Sequence, residues 1–157
     1  MLPIKKILFP TDFSEPSYEA LKAADELASH FSAELVLIHV VSPVPMYPTP
    51  MTPSDFTSSI GFVTSYQQEM EVYAKESLDQ VVQERVSKGI KSRTRVCLGD
   101  AADEIVGTAT DENADLIVIA THGLTGWRRF MFGSVAEKVV RLAQCPVLTI
   151  REPEGKE

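Results

Sequence analysis

The feature that most constrains the fold of this 157-residue chain is the alternation of two apolar periodicities along it. Short apolar segments typical of strands are separated by longer segments whose apolar residues recur at helical spacing. This alternation is typical of a parallel sheet covered by helices, because each crossover must return the chain to the same end of the sheet. The sequence therefore predicts an α/β fold with five strands, at 4–9, 35–41, 91–98, 116–120 and 147–150.

The apolar content of the strands predicts their places in the sheet. Segments 35–41 and 116–120 are almost wholly apolar, as expected of interior strands that are buried on both faces. Segment 91–98 alternates polar and apolar residues, which favours a half-exposed edge strand. Helices are expected to start after a Ser14 cap and an Asp100 cap, and to cover 66–88 and 135–142.

Segment 42–65 is predicted to be a long loop, because it holds five of the ten prolines. Loops of this length are functional or disordered in most compact domains. A linker between two domains is the alternative, but the second half of the chain would need the strands of the first half to complete its sheet. We therefore expect one domain over 1–151, followed by a disordered tail at 152–157.

Composition and charge exclude several classes of protein. No apolar segment approaches the 18 or so residues of a membrane-spanning helix, so no membrane insertion is expected. The net charge of −7 argues against nucleic-acid binding. The first ten residues leave no room for the apolar region of a signal peptide, which predicts a cytoplasmic protein. The two cysteines, Cys97 and Cys145, are expected to be reduced and buried.

The first candidate for chemistry is Pro10-Thr11-Asp12, which directly follows the first strand. In open parallel sheets, ligands bind beyond the carboxyl ends of the strands. Asp12 could accept hydrogen bonds there from a ribose or a base. Alternatively, it is a turn aspartate that helps to start the first helix, and the sequence favours neither interpretation over the other.

The second candidate is the segment from Thr121 to Ser134, where nine residues separate Gly123 from Gly133. Glycines at the ends of a loop that leads into a helix allow backbone N–H groups to approach an anion, and the helix dipole favours negative charge there. The alternative is a capping box, in which Ser134 and Glu137 satisfy the free N–H groups of the helix without a ligand.

Other residues in and around this segment add little. Arg128 and Arg129 could reach phosphate oxygens, and His122 is the one histidine expected near the site. The sequence shows no serine flanked by glycines at a strand-to-helix turn, no phosphate-loop lysine and no metal-ligand set. It therefore predicts a binding site without catalytic or metal-ligating residues.

Five segments together resemble the universal stress protein family. In chain order they are KKILFPTDFSEPSYEAL, LVLIHVV, GDAADEIV, ADLIVIATHGLTG and FGSVAEKVVRLAQCPVLTI. The resemblance implies a Rossmann-like fold, with a single open parallel five-stranded sheet in the order 3-2-1-4-5, helices on both faces, and assembly as a dimer. In that order the first and fourth strands are neighbours, so both candidate segments would line one cleft.

The ATP-binding branch of the family is similar in its glycine motif, although Ala120 stands here in place of the first glycine. The resemblance implies that Asp12 contacts the nucleoside, that the backbone of Val40 contacts the adenine, and that 121–123 and 133–135 hold the phosphates. The residues expected to bind nucleotide are Pro10, Thr11, Asp12, Val40, Ala120, Thr121, His122, Gly123, Arg129, Gly133, Ser134 and Val135.

The function expected from the sequence is that of a dimeric stress-response sensor or signalling module. It would bind ATP or AMP, with Mg as a candidate ion on the phosphates and with a signalling partner that the sequence does not identify. The fifth strand is short and apolar, so pairing with its copy would cover its free edge. The alternatives are a dimeric interaction protein without nucleotide and a slow ATPase.

Overall fold

A computed structural model describes residues 3–45, 52–121 and 133–151 of the chain. The strands are β1 (Lys6–Pro10), β2 (Glu34–Val41), β3 (Ser92–Leu98), β4 (Leu116–Ala120) and β5 (Val147–Ile150). The helices are α1 (Glu15–Phe31), α2 (Pro53–Arg85), α3 (Ala101–Asp111) and α4 (Ser134–Leu142). The predicted tail at 152–157 lies outside the described residues.

The strands form one parallel sheet in the order β3-β2-β1-β4-β5, so the predicted fold class and strand order are confirmed. β1 lies at the centre, where Leu8 pairs with Val36 on β2 and with Ile117 on β4. All three of these side chains are fully buried or nearly so. β3 is an edge strand, as its alternating sequence predicts.

Each face of the sheet has its own apolar core, because successive side chains of a strand point to opposite faces. Ile7 and Phe9 of β1 pack with residues of α1 and α2 on one face. Leu8 packs with residues of α3 and α4 on the other. The prediction of helices on both faces is therefore confirmed.

The structure corrects the prediction that 42–65 is entirely loop, because α2 begins at Pro53. Thr52 is its N-cap, Pro53 opens the first turn, and Asp55 completes a capping box with Thr52. Within the helix, serine and threonine hydroxyls donate to carbonyls four residues back, as in the bonds from Thr57 to Pro53 and from Ser58 to Ser54. A composition typical of loops is thus accommodated in a helix.

The end of α2 differs slightly from the prediction. The helix ends at Arg85, before the predicted Lys88, and Gly89 lies beyond its end with a φ of +103°.

Both cysteines are free, Cys97 is buried, and Cys145 is half-buried. Burial raises the pKa of the Cys145 thiol. Among the described residues, no helix has the length and apolar character needed to cross a bilayer.

Candidate functional site

A cleft of about 440 Å³ opens at the carboxyl ends of β1, β2 and β4. It lies where connections leave β1 and its neighbour β4 in opposite directions along the sheet, which is the place where open parallel sheets bind ligands. The structure brings nine of the predicted site residues to this cleft: Pro10, Thr11, Asp12, Val40, Ala120, Thr121, Gly133, Ser134 and Val135. The other three, His122, Gly123 and Arg129, lie outside the described residues.

Asp12 has a structural role as well as a place in the wall of the cleft. Its Oδ1 accepts hydrogen bonds from the backbone N–H of Ser14 at 3.1 Å and from the Ser14 hydroxyl at 2.5 Å. Ser14 is the N-cap of α1 and accepts from the N–H of Ser17. Asp12 therefore helps to start α1 while it lines the cleft, and the two interpretations of the sequence are compatible.

Thr11 is a buried scaffold residue of the loop between β1 and α1. Its N–H donates to the carbonyl of Ile38 at 2.9 Å. Its hydroxyl oxygen accepts from the N–H of Phe13 at 3.0 Å and from the hydroxyl of Ser17 at 2.7 Å. Ser17, which sequence reasoning did not select, thus ties α1 to the loop that presents Asp12.

His39 is a second residue that the sequence analysis missed, because only His122 was expected near the site. Its Nδ1 lies 2.8 Å from the carbonyl oxygen of Thr11, and its ring stacks on Phe13 with centroids 4.5 Å apart. A carbonyl can only accept a hydrogen bond, so Nδ1 carries the proton. The sequence feature that could have identified His39 is its place as a polar residue within the otherwise apolar run of β2.

The contacts of His39 hold a backbone conformation that is rare for its residue type. Phe13 has a φ of +62°, in the left-handed region that non-glycine residues seldom adopt. Stacking on His39 and the hydrogen bond from the Phe13 N–H to Thr11 stabilise this conformation. Asp12 lies between Thr11 and Phe13 in sequence, so His39 contacts the loop on both sides of the carboxylate.

Gly133 brings the start of α4 against the end of β4. Its N–H donates to the carbonyl of Thr121 at 2.7 Å. A Cβ on Gly133 would lie 3.0 Å from that carbonyl oxygen, which is tighter than most real contacts. The φ of Gly133 is −60°, so glycine is favoured here by close approach and not by backbone conformation.

The capping box that the sequence offered for α4 is wrong. Gly133 is the N-cap, Ser134 is already the first helical residue, and no side chain caps the helix. The backbone N–H groups of the first helical turn therefore lack a side-chain partner of this kind, and they carry the positive end of the helix dipole. Residues 134–136 line the cleft, so this helix end can receive an anion.

Apolar side chains form the part of the cleft that lies against the sheet. They belong to Ile38, Val40, Ile105, Ile119 and Ala136. A flat aromatic base could pack against such a surface, while polar groups at the rim fix its orientation.

At one side of the cleft, ion pairs fix α3 relative to α4. Lys138 of α4 lies 3.0 Å from Asp100, the N-cap of α3, and 2.9 Å from Asp103. Hydrogen bonds to these carboxylates raise the pKa of Lys138, and the bond from Lys138 lowers the pKa of Asp100. Because Lys138 is paired, its charge is not directed at the cleft.

Over residues 3–45, 52–121 and 133–151, no cluster of three or more histidine, cysteine or acidic side chains could hold a metal ion.

The strand order and the helices define a Rossmann-like α/β protein with a cleft at its switch point. Residues 3–151 match the universal stress protein family, and the chain belongs to that family. It is 38% identical over 151 residues to universal stress protein MJ0531 of Methanocaldococcus jannaschii, a match that covers 96% of this chain and 84% of that protein.

Solved structures show the same fold. The structure of MJ0577 from Methanocaldococcus jannaschii superposes with a TM-score of 0.81 at 29% identity, covering 97% of this chain and 99% of that one. A universal stress protein family protein from Arabidopsis thaliana, solved with AMP bound, superposes with a TM-score of 0.59 at 19% identity. That match covers 95% of this chain and 92% of the plant chain.

Proposed function

We propose that this protein binds an adenine nucleotide, ATP or AMP, in the cleft at the carboxyl ends of β1 and β4. The observation that carries the proposal is the start of α4, where a helix N-terminus without a side-chain cap lines the cleft. Phosphates would accept hydrogen bonds from the N–H groups of residues 134–136. Gly133 and Ser134 would allow the close approach that such bonds require.

The remaining parts of the nucleotide fit the other walls. Asp12, on the β1 side of the cleft, would accept from the ribose hydroxyls. The adenine would pack on the apolar surface near Ile38 and Ile119, with the backbone of Val40 as its hydrogen-bonding partner. A plant protein of the same fold was solved with AMP bound, which supports an adenine nucleotide as the proposed ligand. His122, Gly123 and Arg129 are proposed as further phosphate contacts.

The proposed role is that of a binding module and not of an enzyme. Efficient phosphoryl transfer requires positioned cations and a residue that orients the attacking water. In the described part of the cleft, the acidic side chain is Asp12, which is hydrogen-bonded to Ser14 and assigned to the ribose. We propose a cytoplasmic stress-response protein that pairs through β5, with Mg on the nucleotide phosphates, whose occupancy a signalling partner reads.

Mass spectrometry of the protein, denatured directly after purification, tests occupancy. Co-purified ATP or AMP at near-stoichiometric amounts is expected. If none is found, calorimetric titration with ATP and Mg decides, and the absence of binding at millimolar nucleotide would contradict the proposal.

A matched pair of variants tests the assignment of Asp12. Asp12→Asn keeps the Oδ1 acceptor for Ser14 and removes the charge, so it should weaken nucleotide binding while α1 stays intact. Asp25→Asn is the control, because Asp25 lies on α1 and contacts Ser87 outside the cleft. Equal affinities for the two variants would remove Asp12 from the site.

A further inference from the structure

The buried side chains of α2 are confined to the C-terminal part of the helix. The helix has 33 residues, yet its buried residues are Ala74, Leu78 and Val81, none of which lies before position 74. Residues 53–73, which we call the arm, contain no buried side chain. At 1.5 Å per residue the arm is roughly 30 Å long.

The arm is amphipathic even though it has no partner. At 100° per residue, seven apolar side chains fall within about half of its circumference. They are Phe56, Ile60, Phe62, Val63, Tyr66, Met70 and Tyr73. The opposite side holds polar residues together with Gly61 and Val72. This apolar side also includes the direction in which Ala74 meets the core, so the core-facing side of the helix continues along the arm.

The apolar side of the arm is exposed to an extent that is unusual for a surface helix. Phe62 is 74% exposed, Tyr73 64% and Phe56 52%, and Ile60 and Tyr66 are exposed above 40%. With roughly 200 Å² for a whole aromatic side chain, these five residues present on the order of 500 Å² of apolar surface. A stable interface buries about 800 Å² per partner, about 60% of it apolar. The arm therefore presents enough apolar surface for one side of such an interface.

The negative charge of the arm disfavours anionic partners. Asp55, Glu69 and Glu71 are the charged residues of the arm, which has no lysine or arginine. An acidic arm on a chain of net charge −7 would be repelled by an anionic membrane or a nucleic acid.

The pattern of charge also fits a second copy of the same arm. No charged residue occurs between Phe56 and Gln68. In a parallel pair, Glu69 and Glu71 would face their own copies. In an antiparallel pair centred on Phe62, the uncharged stretches 56–68 of the two arms face each other, and the acidic residues lie beyond them at the ends. Two-fold symmetry requires such a self-complementary surface.

We propose that the arms of two copies of this chain pair antiparallel through their apolar sides, and that this contact is separate from the cleft and from the free edge of β5. The proposal does not depend on nucleotide binding.

Sedimentation analysis of two matched double variants of the full chain tests the pairing. Phe62→Glu with Tyr66→Glu places two charges on the apolar side, whereas Ser58→Glu with Ser65→Glu places them on the polar side. The first variant should show a lower mass than the wild type, about half of it where the arms are the sole contact between copies, and the second should keep the wild-type mass. Both should keep the wild-type circular dichroism spectrum, since the arm lies outside the core. Equal masses for the two variants would overturn the proposal.

Energy transfer between arms gives a second, independent readout. A single dye site at Ser65→Cys, in a Cys145→Ser background, leaves only the buried Cys97 as a native thiol. Helices that pack together lie about 8–10 Å apart, so mixed donor- and acceptor-labelled protein should transfer energy strongly. Phe62→Glu with Tyr66→Glu should abolish the transfer. Weak transfer in the parent protein at tens of micromolar would contradict the proposal, as would arms that bind neutral lipid vesicles instead.

Discussion

The two ends of the central sheet differ in how their polar groups are used. At the amino ends of the strands, opposite charges are paired with one another. Arg93 lies 2.6 Å from both Glu34 and Glu112, and Lys6 lies 3.1 Å from Glu112. Asp115 accepts from the N–H of Lys6 at 2.9 Å. At the carboxyl ends, by contrast, a cleft opens beside a helix N-terminus that lacks a side-chain cap.

The electrostatics of the two ends reflect this difference. Hydrogen bonds from Arg93 and then Lys6 lower the pKa of Glu112 to about 2, and the bond from Arg93 lowers the pKa of Glu34. Both carboxylates are more than four-fifths buried. At the carboxyl ends, the positive end of α4 has no side-chain acceptor at its cap. The amino end is therefore stabilised by paired charges, and the proposed anion site lies at the carboxyl end.

The largest expected effect comes from Gly133→Val, which should lower nucleotide affinity by about 100-fold or more while the protein stays folded. The added side chain would crowd the Thr121 carbonyl and block approach to the start of α4. Calorimetric titration with ATP and Mg measures the loss. Gly107→Val in α3 is the matched control, because a Cβ there meets nothing within 4 Å. Unchanged affinity in folded Gly133→Val would place the phosphates elsewhere.

The two edges of the sheet extend the comparison. β3 carries Arg93 and Arg95, whereas β5 reads VLTI without a charge. Charges on an edge strand discourage pairing with another chain. The carbonyls of Pro146 and Ile150 accept from β4, so the N–H of Thr149 points to the free edge.

Thr149→Pro should therefore abolish the proposed pairing through β5, because it removes a donor from the free edge. Light scattering should show a twofold lower mass than for the control Thr149→Val, which keeps the N–H. Proline at Leu148 would disturb the β4–β5 ladder instead, since alternate residues face β4. An unchanged mass in folded Thr149→Pro would exclude β5 as the interface.

Glu112→Gln should lower the free energy of unfolding by about 1–3 kcal/mol at neutral pH, since it removes a largely buried charge from two cationic partners. Nucleotide affinity should not change, because Glu112 lies at the opposite end of the sheet. Urea unfolding provides the measurement. Glu19→Gln, which affects the exposed pair with Lys22, should cost less than about 1 kcal/mol. Equal losses for both variants would contradict a stabilising role for the amino end.

Acid should remove the stabilisation by Glu112. Its pKa falls from the ordinary 4.5 to about 2 in the folded protein, so the folded state holds the proton less tightly than the unfolded state. The contribution is complete above the ordinary value and is lost as the pH falls towards about 2. The difference between the wild type and Glu112→Gln should therefore shrink from about pH 6 to about pH 3. If the difference in the free energy of unfolding between the two proteins stays constant over this range, the effect of the substitution comes from packing and not from charge.

The smallest expected effect is that of His39→Phe, which keeps the stacking on Phe13 and loses the hydrogen bond to Thr11. One such bond is worth about 1 kcal/mol, so nucleotide affinity should fall several-fold through a looser Asp12 loop. His30→Phe, at an exposed position near the end of α1, is the control. Lower stability with unchanged affinity would limit His39 to a structural role.

The fold could be predicted largely from the sequence because buried parallel strands and amphipathic helices have different periods. The order of the strands depended on the family resemblance, since periodicity does not say which strands are neighbours. The start of α2 was missed because its serines, threonines and prolines are typical of loops. The signal that was available is the pattern Thr52-Pro53-Ser54-Asp55, which forms a capping box with proline in the first helical turn.

The cleft that the predicted residues share could be anticipated from the sequence, but the contacts between those residues could not. Asp12 and Gly133 were expected to lie together because each follows the carboxyl end of a strand, and both line the cleft. The sequence could not show that Gly133, and not Ser134, caps α4, because both residues are common at that position. Nor could it show the role of His39, which depends on a contact between β2 and the loop after β1.

Hydrogen exchange with and without saturating ATP and Mg tests most directly whether the carboxyl end of the sheet is the binding end. The account predicts slower exchange at the N–H groups of residues 134–136, since no side chain caps the start of α4. It predicts no change at Lys5 and Lys6, which lie at the amino end of the sheet and donate to Asp115. Protection confined to the amino end, or no protection anywhere at saturating nucleotide, would contradict it.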